Sequence, residues 1–149
     1  MKKFVCVLAV AAAISLPAQA DEARSEKEAE AFVARVVKAL NANRPGTLSE
    51  INAGDKKWVD GELYATINSI DGISLANGMN PKSAGKDISN LTDMNGKEFM
   101  KERLELARTK GKLWQEFMWK DPVTKKVQPK QIYCERTGEM IACAGIYKR

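Results

Sequence analysis

Residues 62–79 read ELYATINSIDGISLANGM, two short alternating segments on either side of Asp71-Gly72. Asp-Gly between two such segments is a strong signal for a two-residue β-hairpin turn, so we predict strands over 62–70 and 73–79. This turn would set Thr66 opposite Asn77 and Tyr64 opposite Met79. One strand face then mixes aromatic, apolar and amide groups, which suits either the floor of a ligand pocket or a half-solvated sheet face. Its members are Tyr64, Thr66, Asn68, Ile70, Ile73, Leu75, Asn77 and Met79.

Helical patterns precede and follow this hairpin. Apolar residues from Ala29 to Leu40 recur every three or four positions, which predicts a long amphipathic helix that begins in the charged segment 21–30. Thr47-Leu48-Ser49-Glu50 predicts a capping box for a short second helix, and Asn95 with Glu98 predicts another for a helix that ends near Lys110. Together with strands over 112–120, 127–135 and 140–147, the pattern predicts an α+β fold with about five antiparallel strands.

The last two strands carry Cys134 and Cys143. A hairpin centred on Gly138-Glu139 pairs Thr137 with Met140 and, counting outward, Cys134 with Cys143. Cross-strand cysteines favour a structural disulfide if the protein is exported, which the N-terminal sequence described next predicts. A redox-active pair is disfavoured, because the spacing is not C-x-x-C and the chain contains no histidine.

The N-terminus has the three parts of a secretory signal peptide: Lys2-Lys3, an apolar run over 4–16, and the small-residue pattern of Ala18-Gln19-Ala20. That run is too short for a membrane span. We therefore predict a cleaved leader at 1–20, a single domain over 21–149, and a periplasmic protein that does not span the membrane. Loss of the leader lowers the formal net charge of +5 by two. The remaining charge is weak and dispersed, so no nucleic-acid partner is expected.

The region 61–147 resembles the single Cache domain family of extracellular sensory modules. The resemblance is carried by the order and spacing of modest marks. They are Tyr64 before Asp71-Gly72, Asn80-Pro81, Gly85-Lys86-Asp87, Asn95-Gly96-Lys97, Phe99, Gly111, Trp114, Trp119, Pro122, Thr124-Lys125, Lys130, Tyr133 and Gly145-Ile146-Tyr147. The family implies a PAS-like antiparallel sheet packed on a long N-terminal helix, and a pocket for a small ligand, often a carboxylate. Most members are parts of membrane receptors or kinases, whereas this chain ends at Arg149 and resembles a free-standing periplasmic version. Asn77 stands where the family often has histidine, which puts ligand choice in doubt.

Lys130 is the main candidate for a carboxylate anchor, because the hairpin register places it opposite Tyr147 and near the small Gly145. The pattern alone favours a solvated edge lysine, whereas the family position favours an anchor. Trp114 could form a pocket wall or belong to the core. The full set of candidate ligand-binding residues is Lys130, Tyr64, Asn77, Met79, Trp114, Tyr133 and Tyr147.

No spacing in the chain favours catalysis, a metal site or a cofactor. The carboxylate pairs, such as Glu102 and Glu105, have the spacing of solvated faces, and no calcium-loop pattern occurs. Two non-enzymatic functions remain. The first is an exported sensory or binding module for a small organic acid or a similar metabolite, which either docks to a membrane receptor or kinase or only buffers its ligand. The second is a ligand-free interaction or structural module that forms a homodimer, or docks to a partner, through the N-terminal helix.

Overall fold

The computed structural model describes residues 23–148, so the predicted leader at 1–20 lies outside the described residues. Within residues 23–148, three α-helices, one short 3₁₀ helix (Pro81–Ser83) and seven strands follow one another. The helices are α1 (Glu26–Ala42), α2 (Arg44–Asn52) and α3 (Phe99–Lys110). The strands are β1 (Val59–Asp60), β2 (Leu63–Tyr64), β3 (Thr66–Ser69), β4 (Ser74–Asn77), β5 (Lys112–Lys120), β6 (Val127–Thr137) and β7 (Met140–Tyr147).

The core of the fold is a five-stranded antiparallel sheet in the order β4-β3-β7-β6-β5, with α1 on one face and α3 on the other. The predicted α+β class and five-strand sheet are therefore confirmed. Alternation along each strand divides its side chains between two hydrophobic clusters. The α1 cluster includes Phe32, Val36, Ile67 and Ile146, and the α3 cluster includes Phe99, Leu104, Ile132 and Ile141.

Helix α1 begins at a capping box, because Ser25 Oγ accepts the Glu28 amide at 3.2 Å and the Glu28 carboxylate accepts the Ser25 amide at 2.7 Å. The capping box predicted for the second helix is wrong. Helix α2 begins earlier, at Arg44, and Asn43 is its N-cap, with Asn43 Oδ1 accepting the Gly46 amide at 3.1 Å. Pro45 suits this position, because the first helical turn does not need its missing N–H.

The start of α3 also differs from the prediction. Neither Asn95 nor Glu98 caps the helix with its side chain. Instead, Asp93 Oδ1 accepts the amides of Asn95 and Lys97 at 2.9 and 3.0 Å, and Asp93 Oδ2 accepts the Met118 amide at 2.9 Å. One aspartate therefore closes the turn before α3 and also attaches that turn to β5, an edge strand of the sheet.

The β6–β7 hairpin confirms the predicted register, with Thr137 opposite Met140, Lys130 opposite Tyr147 and Ile132 opposite Gly145. Cys134 and Cys143 are paired and form the predicted disulfide, with a Cα–Cα distance of 4.2 Å. Both half-cystines are buried, and they lie on the α3 side of the sheet.

The β3–β4 hairpin departs from the predicted register at a β-bulge between Ile67 and Asn68. Thr66 does lie opposite Asn77, but Asn68 pairs with Ser74 where Leu75 was expected. Ser74 consequently faces α3, while Leu75 packs against the α1 cluster. The bulge thus exchanges an apolar side chain for a hydroxyl on the α3 side of the sheet.

The predicted pairing of Tyr64 with Met79 is also wrong. Tyr64 pairs with Val59 in a separate two-stranded sheet, and β4 ends at Asn77. The side-chain oxygen of Asn77 accepts the amides of Met79 and Asn80 at 2.9 and 3.0 Å, which turns the chain out of the sheet. Met79 is 44% exposed as a result.

Candidate functional site

A cavity of about 120 Å³ lies between the α3 face of the sheet and the loop that follows β4. Pockets for drug-sized ligands measure roughly 300–1,000 Å³, so this cavity suits a smaller molecule. One part of the wall is apolar and another carries hydroxyl and amide groups. The cavity has two cationic side chains and, among the residues the structure describes, no acidic one. Its lining residues are Tyr64, Thr66, Asn68, Ser74, Asn77, Asn80, Ser83, Ile88, Leu91, Phe99, Met100, Arg103, Phe117, Trp119, Lys130 and Ile132.

Lys130 on β6 points into this cavity and is only 2% exposed. Its ammonium donates a hydrogen bond to Tyr64 Oη at 3.0 Å and lies 4.1 Å from the centre of the Tyr64 ring. The ring of Tyr147 is 5.5 Å away on the neighbouring strand. Two phenol rings therefore hold the ammonium by cation–π attraction while leaving it donors for a ligand.

Gly145 makes space for the Lys130 side chain. A Cβ at this position would collide with Lys130 Cε and would lie 3.0 Å from the Gln131 carbonyl oxygen. From the sequence, a glycine beside a cation and a phenol suggests room for a ligand next to Lys130. The structure shows a different use, because the aliphatic part of Lys130 itself occupies that room.

Tyr147 supports Lys130 from outside the cavity lining. It is fully buried, and its Oη donates a hydrogen bond to the Lys120 carbonyl at 2.9 Å. Burial raises the pKa of Tyr147 well above its ordinary value, and the nearby Tyr64, Asp121 and Glu62 raise it further. The phenol therefore remains neutral at physiological pH and serves as a fixed, uncharged wall for the ammonium.

Arg103 on α3 is the second cation of the cavity, and the sequence analysis did not identify it. The residue is 4% exposed, and its guanidinium carbon lies 5.2 and 5.1 Å from the ring centres of Phe99 and Phe117. Arg103 Nε donates to Gln115 Oε1 at 3.0 Å, but Nη2 makes no hydrogen bond to any of residues 23–148. A buried N–H without an acceptor is costly, so this atom is the natural point of attachment for an anion.

Desolvation by burial lowers the pKa of the Arg103 guanidinium to about 10, and Tyr64 and Glu102 oppose that shift. The group is thus still charged at neutral pH. A sequence signal for it exists. The buried residues of α3 are Phe99, Met100, Arg103, Leu104 and Ala107, so the arginine interrupts an otherwise apolar helical stripe.

The neutral polar part of the wall comes from β3, β4 and the 3₁₀ helix. Ser74 and Ser83 share a hydrogen bond between their hydroxyls at 2.9 Å, and Asn68 is 2% exposed. These groups can donate and accept, so they can bind the uncharged polar atoms of a ligand. Within residues 23–148, no cluster of histidine, cysteine, aspartate or glutamate has the arrangement of a metal site.

Trp114 and Tyr133, two of the predicted ligand-binding residues, lie on the α1 side of the sheet, away from this cavity. They are a cross-strand pair with ring centres 5.2 Å apart. Trp114 Nε1 donates to Glu30 on α1 at 3.3 Å, and Tyr133 Oη donates to Glu135 at 2.7 Å. Strand alternation explains the placement, because Tyr133 lies three positions after Lys130, and an odd offset along a strand puts two side chains on opposite faces. Tyr64, Asn77 and Lys130 do line the cavity, whereas Met79 lies in the groove outside it.

The chain belongs to the family of single Cache domains, because the family model described as single Cache domain 2 matches residues 13–139. The sequence resemblance to this family is confirmed. No curated protein sequence matches the chain.

Three solved structures share the fold. A methyl-accepting chemotaxis protein from Vibrio parahaemolyticus RIMD 2210633 superposes with a TM-score of 0.69 at 22% identity, covering 82% of this chain and 87% of that one. The periplasmic sensor domain of a chemotaxis protein has a TM-score of 0.64 at 20% identity, covering 83% and 90%. A Cache chemosensory domain that recognises carboxylic acid has a TM-score of 0.63 at 21% identity, covering 83% and 88%. At such low sequence identity, these structural similarities establish the common fold alone. No helix within residues 23–148 has the length and apolarity needed to cross a bilayer.

Proposed function

We propose that this chain is an exported, periplasmic and non-catalytic sensory module that binds a small carboxylate in the cavity between α3 and the sheet. The observation that carries the proposal is Arg103 Nη2, a buried guanidinium nitrogen without a hydrogen-bond acceptor among the described residues, in a cavity that no described acidic side chain lines. Lys130 contributes a second cation to the same cavity.

The chemistry of the two cations suits a carboxylate. A guanidinium offers parallel N–H donors that match the two oxygens of a carboxylate, and an ammonium adds a point charge. Phe99 and Phe117, which flank Arg103, present an apolar surface to a short carbon chain. The carboxylic acid recognition of a structural relative agrees with this choice of ligand. Docking to a membrane receptor or kinase is part of the proposal, by analogy with the chemotaxis proteins that share the fold.

Isothermal titration calorimetry and thermal-shift assays with acetate, propionate, butyrate, amino acids and amines test the proposal. We expect binding by carboxylates, and Arg103→Met and Lys130→Met should each weaken it by roughly 10- to 100-fold, the value of a hydrogen bond to a charged group. Arg35→Met and Lys38→Met, on the exposed part of α1, are matched controls that should leave binding unchanged. A wild-type protein that binds no carboxylate, or variants that bind as the wild type does, would refute it.

The alternative is a ligand-free module that dimerises or docks through α1. Removing residues 21–31 would not test it cleanly, because that segment contains the capping box and the buried Ala29. Arg24 is also attached to its own domain, with its guanidinium at 2.5 Å from Asp60 and its amide at 3.3 Å from Glu62. Light scattering of Lys27→Glu and Lys38→Glu variants, which change only the outward face of α1, tests dimerisation without disturbing the helix.

A further inference from the structure

A second and larger recess of about 410 Å³ opens directly outside the cavity. We call it the outer groove. It shares four lining residues with the cavity, so the two spaces adjoin one another. The shared residues are Tyr64, Asn77, Asn80 and Trp119; the residues found only in the outer groove are Met79, Lys120, Pro122 and Lys125.

The outer groove repeats the charge pattern of the cavity. Two lysines, Lys120 and Lys125, line it, and none of its lining residues among those described is acidic. Arg103 and Lys130 provide two cations within, and the lysines provide two more at the mouth. The aromatic side chains of Tyr64 and Trp119 lie where the two spaces meet. A ligand spanning both would therefore contact cations at its two ends and aromatic surface in its middle.

The outer lysines stand on a well-held stretch of backbone. The Lys120 carbonyl accepts the Tyr147 hydroxyl at 2.9 Å. The turn that carries Lys125 is closed by two bonds of 2.8 Å, from the Lys125 amide to the Asp121 carbonyl and from the Asp121 amide to the Lys126 carbonyl. The side chain of the buried Asp121 also accepts the Val123 amide at 2.8 Å.

Lys125 occupies an unusual position in this turn. Its φ of 64° places it in the left-handed region, and it is the one residue other than glycine within 23–148 that has a positive φ. Glycine or asparagine would adopt this conformation at lower cost. Such outliers concentrate where a side chain has a function, and here the unfavourable backbone carries a lysine beside the groove.

We infer that the physiological ligand is a small dicarboxylate, with one carboxylate between Arg103 and Lys130 and the other in the outer groove with Lys120 and Lys125. This inference rests on the proposed carboxylate-binding function and specifies its ligand. The cavity volume limits the inner part of the ligand to one carboxylate and a short carbon chain. The amide groups of Asn77 and Asn80 at the junction suit a hydroxyl or carbonyl substituent on that chain.

Calorimetry with pairs of equal carbon number tests the inference: succinate against butyrate, glutarate against pentanoate, and adipate against hexanoate, at low ionic strength. At least one dicarboxylate should bind roughly 3- to 10-fold more tightly than its partner, because exposed charge pairs contribute modestly. The advantage should shrink as salt is raised, since the outer groove is open to solvent. The double variant Lys120→Gln/Lys125→Gln should remove this advantage and change monocarboxylate affinity less than about twofold. Lys27→Gln/Lys38→Gln carries the same charge change on α1 and should behave as the wild type does.

Two results would overturn the inference alone. In the first, monocarboxylates bind through Arg103 and Lys130 at least as tightly as every dicarboxylate partner. In the second, Lys120→Gln/Lys125→Gln weakens both ligand classes equally, which would mean that the lysines only attract anions from solution. If neither class binds, or if binding ignores Arg103 and Lys130, the proposed function fails as well.

Discussion

Arg103 on α3 and Gln115 on β5 are joined by a buried hydrogen bond of 3.0 Å from Arg103 Nε to Gln115 Oε1. The amide nitrogen of Gln115 donates in turn to the Phe99 carbonyl at 2.8 Å, at the first residue of α3. Gln115 thus orients the guanidinium and fixes the start of the helix that carries it. Because an amide is neutral, Gln115 positions Arg103 without neutralising its charge.

Replacement of Gln115 should therefore affect stability and binding together. Gln115→Leu leaves Arg103 Nε and the Phe99 carbonyl without their partners, and we expect a loss of about 1–3 kcal/mol in the free energy of unfolding, with weaker carboxylate binding. Urea denaturation and calorimetry measure the two effects. Gln131→Leu, a glutamine whose side chain bonds Glu116, is the control and should leave binding unchanged. Wild-type affinity in Gln115→Leu would show that Arg103 needs no such support.

Gly145 should be intolerant of even one additional carbon. In Gly145→Ala the new methyl group displaces the Lys130 side chain and crowds the Gln131 carbonyl, so we expect about 1–3 kcal/mol of destabilisation and a loss of ligand affinity. Ala144→Gly, the neighbouring change on the other face of β7, provides the comparison for stability and should retain affinity. Calorimetry measures ligand binding by both variants. Wild-type ligand affinity in Gly145→Ala would contradict the prediction.

Tyr64 and Tyr133 should differ when each loses its hydroxyl. Tyr64→Phe removes the hydrogen bond to Lys130 inside the cavity, so ligand affinity should change. Tyr133→Phe removes the bond to Glu135 on the opposite face, costing about 1 kcal/mol of stability with affinity retained. Parallel titrations of the two variants measure the difference, and equal effects on affinity would contradict the assignment of Tyr133 to the α1 side.

The disulfide should contribute to stability more than to binding. The bond between Cys134 and Cys143 closes a short loop, so Cys134→Ala/Cys143→Ala should lower the free energy of unfolding by about 2–3 kcal/mol. Neither cysteine lines the cavity, so affinity should persist in the double variant below its lower melting temperature. Reduction of the wild type with dithiothreitol should reproduce the loss of stability. If neither the double variant nor the reduced wild type had a lower melting temperature, the disulfide would not contribute to stability as predicted.

Asp93 should make stability depend on acid pH. The hydrogen bond from the Met118 amide, with further bonds from the Lys97 and Asn95 amides, holds the pKa of this carboxyl below the ordinary value for an aspartate. Because the pKa is lower in the folded chain, the ionised Asp93 carboxylate contributes its full stabilisation above the unperturbed aspartate pKa of 3.8. This contribution is lost as the pH falls through the pKa of the folded chain. Asp93→Asn should therefore be less stable than the wild type by a constant amount from pH 5 to 8. The difference should narrow below pH 4 in urea titrations, and a difference that stays constant down to pH 2 would contradict this origin.

Local signals predicted the hairpins best where a turn and the strand alternation agree. Gly138-Glu139 sets the register of β6 and β7 as far as Lys130 and Tyr147. The Asp71-Gly72 signal is less reliable, because the bulge inserts Leu75 into β4 between the partners of Ile67 and Asn68, and no turn pattern reveals this. Because of this inserted residue, Ser74 faces α3 in the structure, whereas the turn pattern alone predicts Leu75 there.

The candidate site was harder to predict, because it depends on which face of the sheet each residue occupies. The positions of Lys130 and Tyr133 alone imply opposite faces, and that inference was available from alternation. The side of Trp114 depends on its pairing with Tyr133 across a loop whose length does not set a register. Arg103 was missed because an arginine in a charged helix is usually solvated.

Arg103 Nη2, which has no hydrogen-bond acceptor among residues 23–148, has a consequence for the abundance of the protein if the proposed carboxylate binds there. An anion that bonds this buried atom binds the folded chain and not the unfolded one, so occupancy adds directly to the free energy of unfolding. A supply of ligand would then protect the chain from proteases, which cleave opened molecules. The concentration of the protein would rise and fall with that of its ligand, without any change in its synthesis.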